Sequence, residues 1–462
     1  MTDAPRLTKT LFQVGLACPK RLWWEVHEPD APELAPDAQA QWNFRQGQEV
    51  TMLARSRVPE ARYEATLEGE NLLARVDILQ PLADGTQSLI EVKGSTSVRD
   101  EHRWDVAFQR HVASLAGVEV SRWELMYLNK DCRHPDLDPL FIREDLAEQV
   151  GPLAAQVPEA VDRLRDVLDG PLPGDSRNAH CGECPFHARC WPADRFGVHR
   201  LYRMKWSDKL DLERAGIARI GEVPEGRRLT SIQRRQRESA MEGEVVVEPS
   251  LASALGEWVE PLIYLDFETV AFAVPRFPGT RPWDKIPVQY SAHREEAAGT
   301  HHRAFLAPDG ADPRRALAES LIDWCGEGGS VVTYHSSFEK GRLKELAAAL
   351  PDLEAGLMGI HERVVDLEPM VAHHVYHPDF RGSFSLKVVL PTLCPELTYH
   401  DLVIRDGSTA QLELARLLYP TSPLPHAEAV SLRGALLAYC ERDTLAMVAL
   451  HSRLKEMAGR GK

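Results

Sequence analysis

No run of apolar residues in this chain approaches the roughly 18 needed to cross a bilayer. The opening, Met1-Thr-Asp-Ala-Pro-Arg6, carries no hydrophobic signal core. A cytoplasmic protein without a membrane partner is therefore expected. A basic excess is missing as well: 54 Lys and Arg stand against 69 Asp and Glu, a net charge of -15. Diffuse positive charge of the kind that holds a protein to nucleic acid is thus excluded, although a local basic stripe and acidic metal sites remain compatible with that total. Repeats at solenoid periods and low-complexity tracts are absent, which removes array and tail architectures. Eight cysteines in 462 residues, with no secretory leader, argue against a disulfide framework and toward metal ligation for some of them.

What is present fits folded domains. Hydrophobic residues make up 44% and charged residues 27%, and a chain of this length calls for two or three units of ordinary domain size. Residues 1–195 alternate helical segments with strand-like runs at Leu72–Leu79 and Ser88–Val92 and form one α/β unit. Residues 196–260 lack a strand-rich core, and Leu210–Ile220 around Gly216 suggests a helix-hairpin-helix-like connector. Residues 261–462 form a second α/β unit, opened by the buried-strand signal Leu262–Leu265, continued by Ser330–Tyr334 and closed by a helix over Leu432–Leu454. Between Arg200 and Ala240 eleven Lys or Arg face six Asp or Glu. Arg227, Arg228, Arg234, Arg235 and Arg237 concentrate there, either as a helix that tracks phosphates or as a solvated linker.

Two sets of carboxylates have the spacing of divalent-metal ligands. In the first, Asp77 ends an apolar strand, and Glu91 and Lys93 lie two apart on the next, so their side chains share a sheet face. Carboxylates supply hard oxygen ligands for Mg2+ or Mn2+, while the ammonium orients water or steadies the phosphorus. In the second, Asp266-Phe-Glu268 projects two carboxylates from one face of a strand end. Tyr439 and Asp443, four apart on a helix, stack on one side of it. Both sets follow the logic of two-metal phosphodiester hydrolysis. Cys181-Gly-Glu-Cys184 and Cys190 pack three soft ligands into ten residues, and Cys18 lies far upstream. Such a thiolate quartet binds a [4Fe-4S] cluster or zinc. His187 is a substitute ligand in the zinc case, and otherwise a solvated or core histidine. Cys132, Cys325 and Cys394 read as packing thiols.

Glu49 on an upstream helix and Gln109 on a downstream one complete an order that resembles the PD-(D/E)xK nucleases of the RecB type. The resemblance implies a restriction-endonuclease-like fold, with Glu49, Asp77 and Glu91 as metal ligands, Lys93 aiding catalysis and Gln109 positioning substrate or water. Ala74 and Ala113 stand where these relatives often have Gly and Tyr. One cysteine before this core and three after it resemble the iron-sulfur branch of the same group, as in CRISPR adaptation and AddB nucleases, which implies [4Fe-4S] over zinc.

The second set resembles the DnaQ-like 3'-5' exonucleases of the DEDDy kind on a ribonuclease H-like sheet, with Asp266, Glu268, Glu339 and Asp443 as metal ligands and Tyr439 holding the attacking water. Glu339 occupies the place where those enzymes carry Asp. Asp366 is a further acidic candidate or a structural residue. In Gly382-Ser-Phe-Ser-Leu-Lys387, Lys387 meets phosphate, or Ser383 or Ser385 caps a helix. End to end, the chain is similar to a bacterial family that fuses these two nuclease types. The expectation is a metal-dependent nuclease acting on DNA ends or single strands, with RNA as a second substrate, in repair or defence. A nucleic-acid-binding scaffold with decayed sites, or a chain with one active site, are the alternatives.

Overall fold

Leu72, Ala74, Val76 and Ile78 alternate along one strand and all are buried, the period-two pattern that seats a single sheet face in a core. The computed structural model describes residues 6–297, 299–420 and 422–460. It is a mixed α/β structure that divides into two units. Unit 1 holds Met1–Trp191 together with Ala271–Asp284, and unit 2 holds Pro192–Val270 and Lys285–Lys462.

Unit 1 begins with strand β1 (Leu7–Thr8), helices α1 (Lys9–Ala17), α2 (Pro19–His27) and α3 (Ala38–Ser56), and strands β2 (Arg62–Gly69), β3 (Leu72–Pro81) and β4 (Gln87–Lys93). It continues through α4 (Asp100–Leu115), β5 (Val120–Leu128), β6 (Phe141–Asp145), α5 (Ala147–Ala154), α6 (Val157–Asp169) and α7 (His187–Cys190). The sheet order is β1-β3-β4-β5-β6, with β2 also paired to β3. β3 and β4 are antiparallel, whereas β4 and β5 run parallel, with α4 making the crossover. Helix α4 buries Val106, Phe108 and Val112 against Phe12 of α1 and Leu125 of β5. Burying that face aims Asp105 and Gln109, one turn apart, toward the sheet.

Unit 2 contains α8 (Trp206–Arg214), α9 (Ser231–Glu242), β7 (Val246–Val247), α10 (Leu251–Leu255), β8 (Leu262–Ala271), β9 (Lys285–Glu296) and β10 (Gly299–Leu306). It proceeds through α11 (Arg314–Cys325), β11 (Val331–Thr333), α12 (Ser337–Ala349), α13 (Glu354–Glu362), β12 (Val364–Asp366), α14 (Leu367–His374) and β13 (Val375–Tyr376). It ends in α15 (Leu386–Leu393), α16 (Gly407–Leu418) and α17 (His426–Arg460). The sheet order is β10-β9-β8-β11-β12. β9 and β10 are antiparallel, and β11 runs parallel to both β8 and β12. Ile263, Leu265 and Phe267 of β8 fill the core with Leu317 and Leu321 of α11 and Leu343 of α12.

Residues 196–260, expected as a connector, group with unit 2. The expected helix-hairpin-helix is also absent among the described residues. After α8 the chain turns at Gly216, in the left-handed region (φ 81°), and then makes only a 3-10 turn, Ile220–Glu222, where a second helix was expected. The basic run is divided as well. Arg227, Arg228 and Arg234 are exposed. Arg235 is buried, with Nη1 3.1 Å from Glu248 Oε1 and Nη2 donating to the Ala372 carbonyl at 2.9 Å. Arg237 donates to the Val223 carbonyl at 2.7 Å. The stripe fails because α9 turns Gln236 and Ser239 inward, and Arg235 lies on that same buried side. Arg235→Ala is expected to cost about 2–3 kcal/mol in denaturant unfolding, since it removes a charged donor from a buried acceptor, whereas Arg234→Ala leaves stability within about 0.5 kcal/mol.

Candidate metal centres and the cysteine cavity

The second set of carboxylates converges. Asp266 and Glu268 point from the same face of β8, and Asp443 reaches them from α17. One carboxylate oxygen from each lies within 4.8 Å of the other two. Glu339, on the first turn of α12, is buried at 2% exposure, and its Oε2 has no hydrogen-bond partner among the described residues. Burial, and then the charge of Asp266, push the Glu339 carboxyl well above its ordinary range. Asp266 is raised by burial and by Asp443, and Glu268 by burial and by Asp266. Lys387 is the lysine that acts on Asp266, Glu268 and Asp443. Arg342, near Glu339, is engaged by Glu345 at 2.7 and 2.6 Å. Asp266, Glu268 and Asp443 therefore face one ammonium, while the cation acting on Glu339 is Arg342. Oxygen donors at this density suit hard divalent cations.

Two phenols complete this pocket. Tyr399, which no sequence pattern pointed to, donates to Asp443 Oδ1 at 2.5 Å. Lys387 Nζ donates to the Tyr439 hydroxyl at 3.1 Å and lies over both rings, 5.7 Å from that of Tyr399 and 5.2 Å from that of Tyr439. Burial raises the Tyr439 phenol, and Asp443 adds to the shift, so it stays protonated. Cys440, also unforeseen, points its Sγ at Asp266 Oδ2, 3.7 Å away. Lys387 thus faces the carboxylates through Tyr439. Its position depends on Gly382 (φ 80°), where a Cβ would stand 1.9 Å from the Arg200 carbonyl oxygen. Ser385 makes no side-chain cap on α15. Asp366 accepts the backbone N–H groups of His335, Ser336 and Glu368 at 3.0, 2.8 and 3.1 Å, a turn-and-cap role at the start of α14.

The first set is also brought together, but with its charge largely balanced. Asp77 Oδ2 accepts the Val92 N–H at 2.8 Å, just past the point where the β3–β4 ladder ends at Ile78 and Ile90. Glu91 is fully buried and takes Lys93 Nζ at 2.9 Å and Gln109 Nε2 at 2.6 Å, together with Lys9 Nζ. Lys93 Nζ also reaches Asp105 Oδ2 at 2.5 Å, and Gln13 Nε2 donates to Asp105 Oδ1 at 2.5 Å. Burial and the Glu91 charge push the Asp77 carboxyl up to about 7. Burial opposes ionisation of Glu91, but Lys9 and Lys93 override it and hold that carboxyl below its usual range.

Three carboxylates thus share two lysines. Asp105 was not singled out in the sequence, although its spacing of four from Gln109 on one helix could have found it; Lys9, near the start of the described chain, gave no local signal. Glu49 takes a different partner, Arg276, at 3.3 and 3.2 Å. The far side of the network opens into a cleft walled by Lys9, Gln13, Arg21, Lys93, His102 and Asp105.

Cys18, Cys181, Cys184 and Cys190 line one small cavity, together with Trp24, Asn178 and His187. Cys18 sits at the joint of α1 and α2, where Pro19 opens the second helix. Cys181 lies in the 3-10 turn Ala179–Glu183, Cys184 caps it, and Cys190 ends α7. The Asn178 N–H donates to Cys181 Sγ at 3.3 Å. Burial raises the Cys184 and Cys190 thiols, with the neighbouring cysteines adding to the shift. Trp24 and Phe186 pack beside this segment with ring centroids 5.1 Å apart. Cys132, Cys325 and Cys394 are buried individually.

Residues 263–385 match the family model described as "Domain of unknown function (DUF2779)". That span contains Asp266, Glu268 and Glu339 and stops short of Lys387, Tyr439 and Asp443. The chain is similar to the "Uncharacterized protein MG366 homolog" of Mycoplasma pneumoniae, 25% identical over 218 residues, covering 43% of this chain and 32% of the relative. It is also similar to the "Uncharacterized protein UU173" of Ureaplasma parvum, 24% identical over 222 residues, with the same shares of 43% and 32%. The chain thus spans about a third of the length of the curated relatives it matches. A solved structure described as "Crystal structure of SSO0001" is 15% identical, covering 42% of this chain and 88% of that one, with a TM-score of 0.25. At that TM-score the likeness carries no argument. No described helix is long and apolar enough to cross a membrane.

Proposed function

We propose that this chain hydrolyses phosphodiester bonds of nucleic acid at a centre built by Asp266, Glu268, Glu339 and Asp443, as a DnaQ-like, DEDDy-type 3'-5' exonuclease acting on DNA ends or single strands. The observation that carries this reading is the convergence of Asp266, Glu268 and Asp443, with ligand oxygens within 4.8 Å of one another and only Lys387 as the ammonium acting on them, beside a buried Glu339 whose carboxyl burial and Asp266 likewise raise. An arrangement so costly without cations fits a site made to hold them. The strand order β10-β9-β8-β11-β12, with α17 carrying Asp443 to β8, supports a ribonuclease H-like sheet.

Bound Mg2+ or Mn2+ would supply Lewis-acid activation of phosphate and of water. Tyr439, held by Lys387, is placed to orient that water by hydrogen bonding, and Lys387 to meet phosphate charge. Tyr399 fixes Asp443 by donating to it, and Glu339 has an oxygen free to ligate. In the first unit we read the network of Asp77, Glu91, Lys93 and Gln109 as a RecB-like, restriction-endonuclease-like site. Because Lys9, Lys93 and Gln109 already engage Glu91, a second reading is favoured for that unit: it guides substrate and leaves turnover to the exonuclease. Arg227, Arg228 and Arg234 are exposed, and we read them as phosphate contacts.

We read Cys18, Cys181, Cys184 and Cys190, which line one cavity, as ligands of a [4Fe-4S] cluster, on the resemblance to the iron-sulfur branch of RecB-like nucleases, with zinc as the alternative. The Asn178 N–H and the aromatic surroundings are of the kind that tune such a cluster.

Labelled single- and double-stranded DNA and RNA, incubated with Mg2+ or Mn2+, test the reading directly. Asp266→Ala is expected to abolish release of nucleotides from 3' ends, while Asp77→Ala leaves it within a few fold. Equal loss with both would make both centres hydrolytic. Binding that falls steeply with salt, without cleavage of any substrate, would leave a nucleic-acid scaffold and overturn the proposal.

A further inference from the structure

Outside both carboxylate sets, unit 2 assembles a third group of donors of a different chemical type. In the β9–β10 ladder His293 stands directly opposite His302, with ring centroids 4.5 Å apart. Glu441 of α17 brings a carboxylate oxygen 3.7 Å from His302 Nδ1. One ligand atom from each of the three lies within 4.8 Å of the others.

The hydrogen bonds behind these rings direct their lone pairs. Thr444 Oγ1 has a single proton, which it donates to the Glu441 carbonyl at 3.1 Å. It must therefore accept from its other two neighbours, His293 Nδ1 and Ser291 Oγ, each at 2.8 Å. With its own proton given to Thr444, Ser291 Oγ accepts from His302 Nε2 at 2.9 Å. The chain thus places the protons on His293 Nδ1 and His302 Nε2. His293 Nε2 and His302 Nδ1 are left as bare nitrogen donors, and His302 Nδ1 faces the Glu441 carboxylate. Two lone-pair bearers turned toward each other are joined by a shared cation, or by a proton on the exposed imidazole. Rings oriented by hydrogen bonds on their far nitrogens are the usual support of a metal-ligating histidine.

We propose that His293, His302 and Glu441 form a site for a borderline divalent transition cation, zinc above all, distinct from the oxygen-only centre. Two imidazoles and one carboxylate suit zinc and are poor ligands for Mg2+. His302 and Glu441 are exposed while His293 is buried, so the fourth position opens to solvent. Such an ion ties the β9–β10 hairpin to α17, the helix that carries Tyr439 and Asp443.

The test uses the full chain, stripped with chelator, loaded with Zn2+ and desalted, with zinc counted per chain. Zinc affinity is also measured by calorimetry in excess Mg2+. His302→Gln and Glu441→Gln change exposed side chains, and their melting in chelator should match that of the parent. Each is expected to retain about one zinc fewer than the parent, with Thr444→Val weakening zinc about 10–100-fold by removing the orienting hydroxyl. Asp266→Asn should retain the parent's count. Equal zinc in the parent, His302→Gln and Glu441→Gln would overturn the site. So would loss of that zinc in Asp266→Asn without loss in His302→Gln, which would assign the ion to the carboxylate pocket.

Discussion

Asp266→Asn is expected to make the metal-free protein more stable at pH 8 while removing nearly all nucleotide release. The sign comes from linkage. Burial and Asp443 raise the folded carboxyl of Asp266 above its unfolded value, so the folded state binds more protons than the unfolded one as pH rises from the ordinary carboxylate range. Stability is therefore lost with increasing pH, and an amide, which cannot ionise, escapes that loss. The gain in chelator should be on the order of 1–3 kcal/mol, the cost of a buried polar group without compensation, and should vanish near pH 4. Saturating Mn2+ should reverse the ranking. A ligand at 100 times its dissociation constant stabilises by about 2.7 kcal/mol, and the parent takes more of that than the variant. Lost activity should amount to roughly three orders of magnitude, about 4 kcal/mol of transition-state stabilisation. Thermal scans at pH 4 and 8, with chelator and with Mn2+, measure all four cases. A variant less stable than the parent in chelator at pH 8 would mean that Asp266 is held by compensating contacts, and the charge argument would fail.

The second large effect is expected at the cysteines. Anaerobically purified protein should be brown and carry about four iron atoms per chain, and Cys181→Ser should be colourless. Cys18 and the segment holding Cys181, Cys184 and Cys190 come from opposite ends of the first unit's sequence, so a cluster closes a very long loop. In the chain-entropy account, closing a loop of about 100 residues or more is worth about 5 kcal/mol, and ligand binding absent from the unfolded state adds to it. Cys181→Ser should therefore lower the melting point of the first unit by more than 10 °C, given roughly 2–4 °C per kcal/mol at this size. A colourless parent holding a tightly bound zinc that Cys181→Ser loses and His302→Gln keeps would replace the cluster with a single-ion staple.

Much of this architecture was legible because its signals are local. The apolar alternation at Leu72–Leu79 and the Glu91-Val-Lys93 spacing mark strands that are present, and Tyr439 and Asp443 share one side of a long helix as their spacing of four requires. Convergence of Asp266 with Asp443, or of Cys18 with Cys190, was reachable only through resemblance, since nothing local couples residues so far apart. Lys9 and Tyr399 had no signal at all: each is an ordinary residue whose role arises when distant elements pack. The basic run misled for a related reason. Whether an arginine faces phosphate or core depends on which side of its helix is covered, and α9 covers the side holding Arg235. Glu49 sat on the expected helix, but Arg276, from a distant segment, claims its carboxylate.

Crystals of the full chain soaked in Mn2+ and measured at the manganese absorption edge test the central claim most directly. Two anomalous peaks about 3.5–4 Å apart, ligated by Asp266, Glu268, Glu339 and Asp443, are expected, and both should disappear in Asp266→Asn. A pocket that stays free of manganese, with Asp266 and Asp443 protonated and hydrogen-bonded to each other, would contradict it.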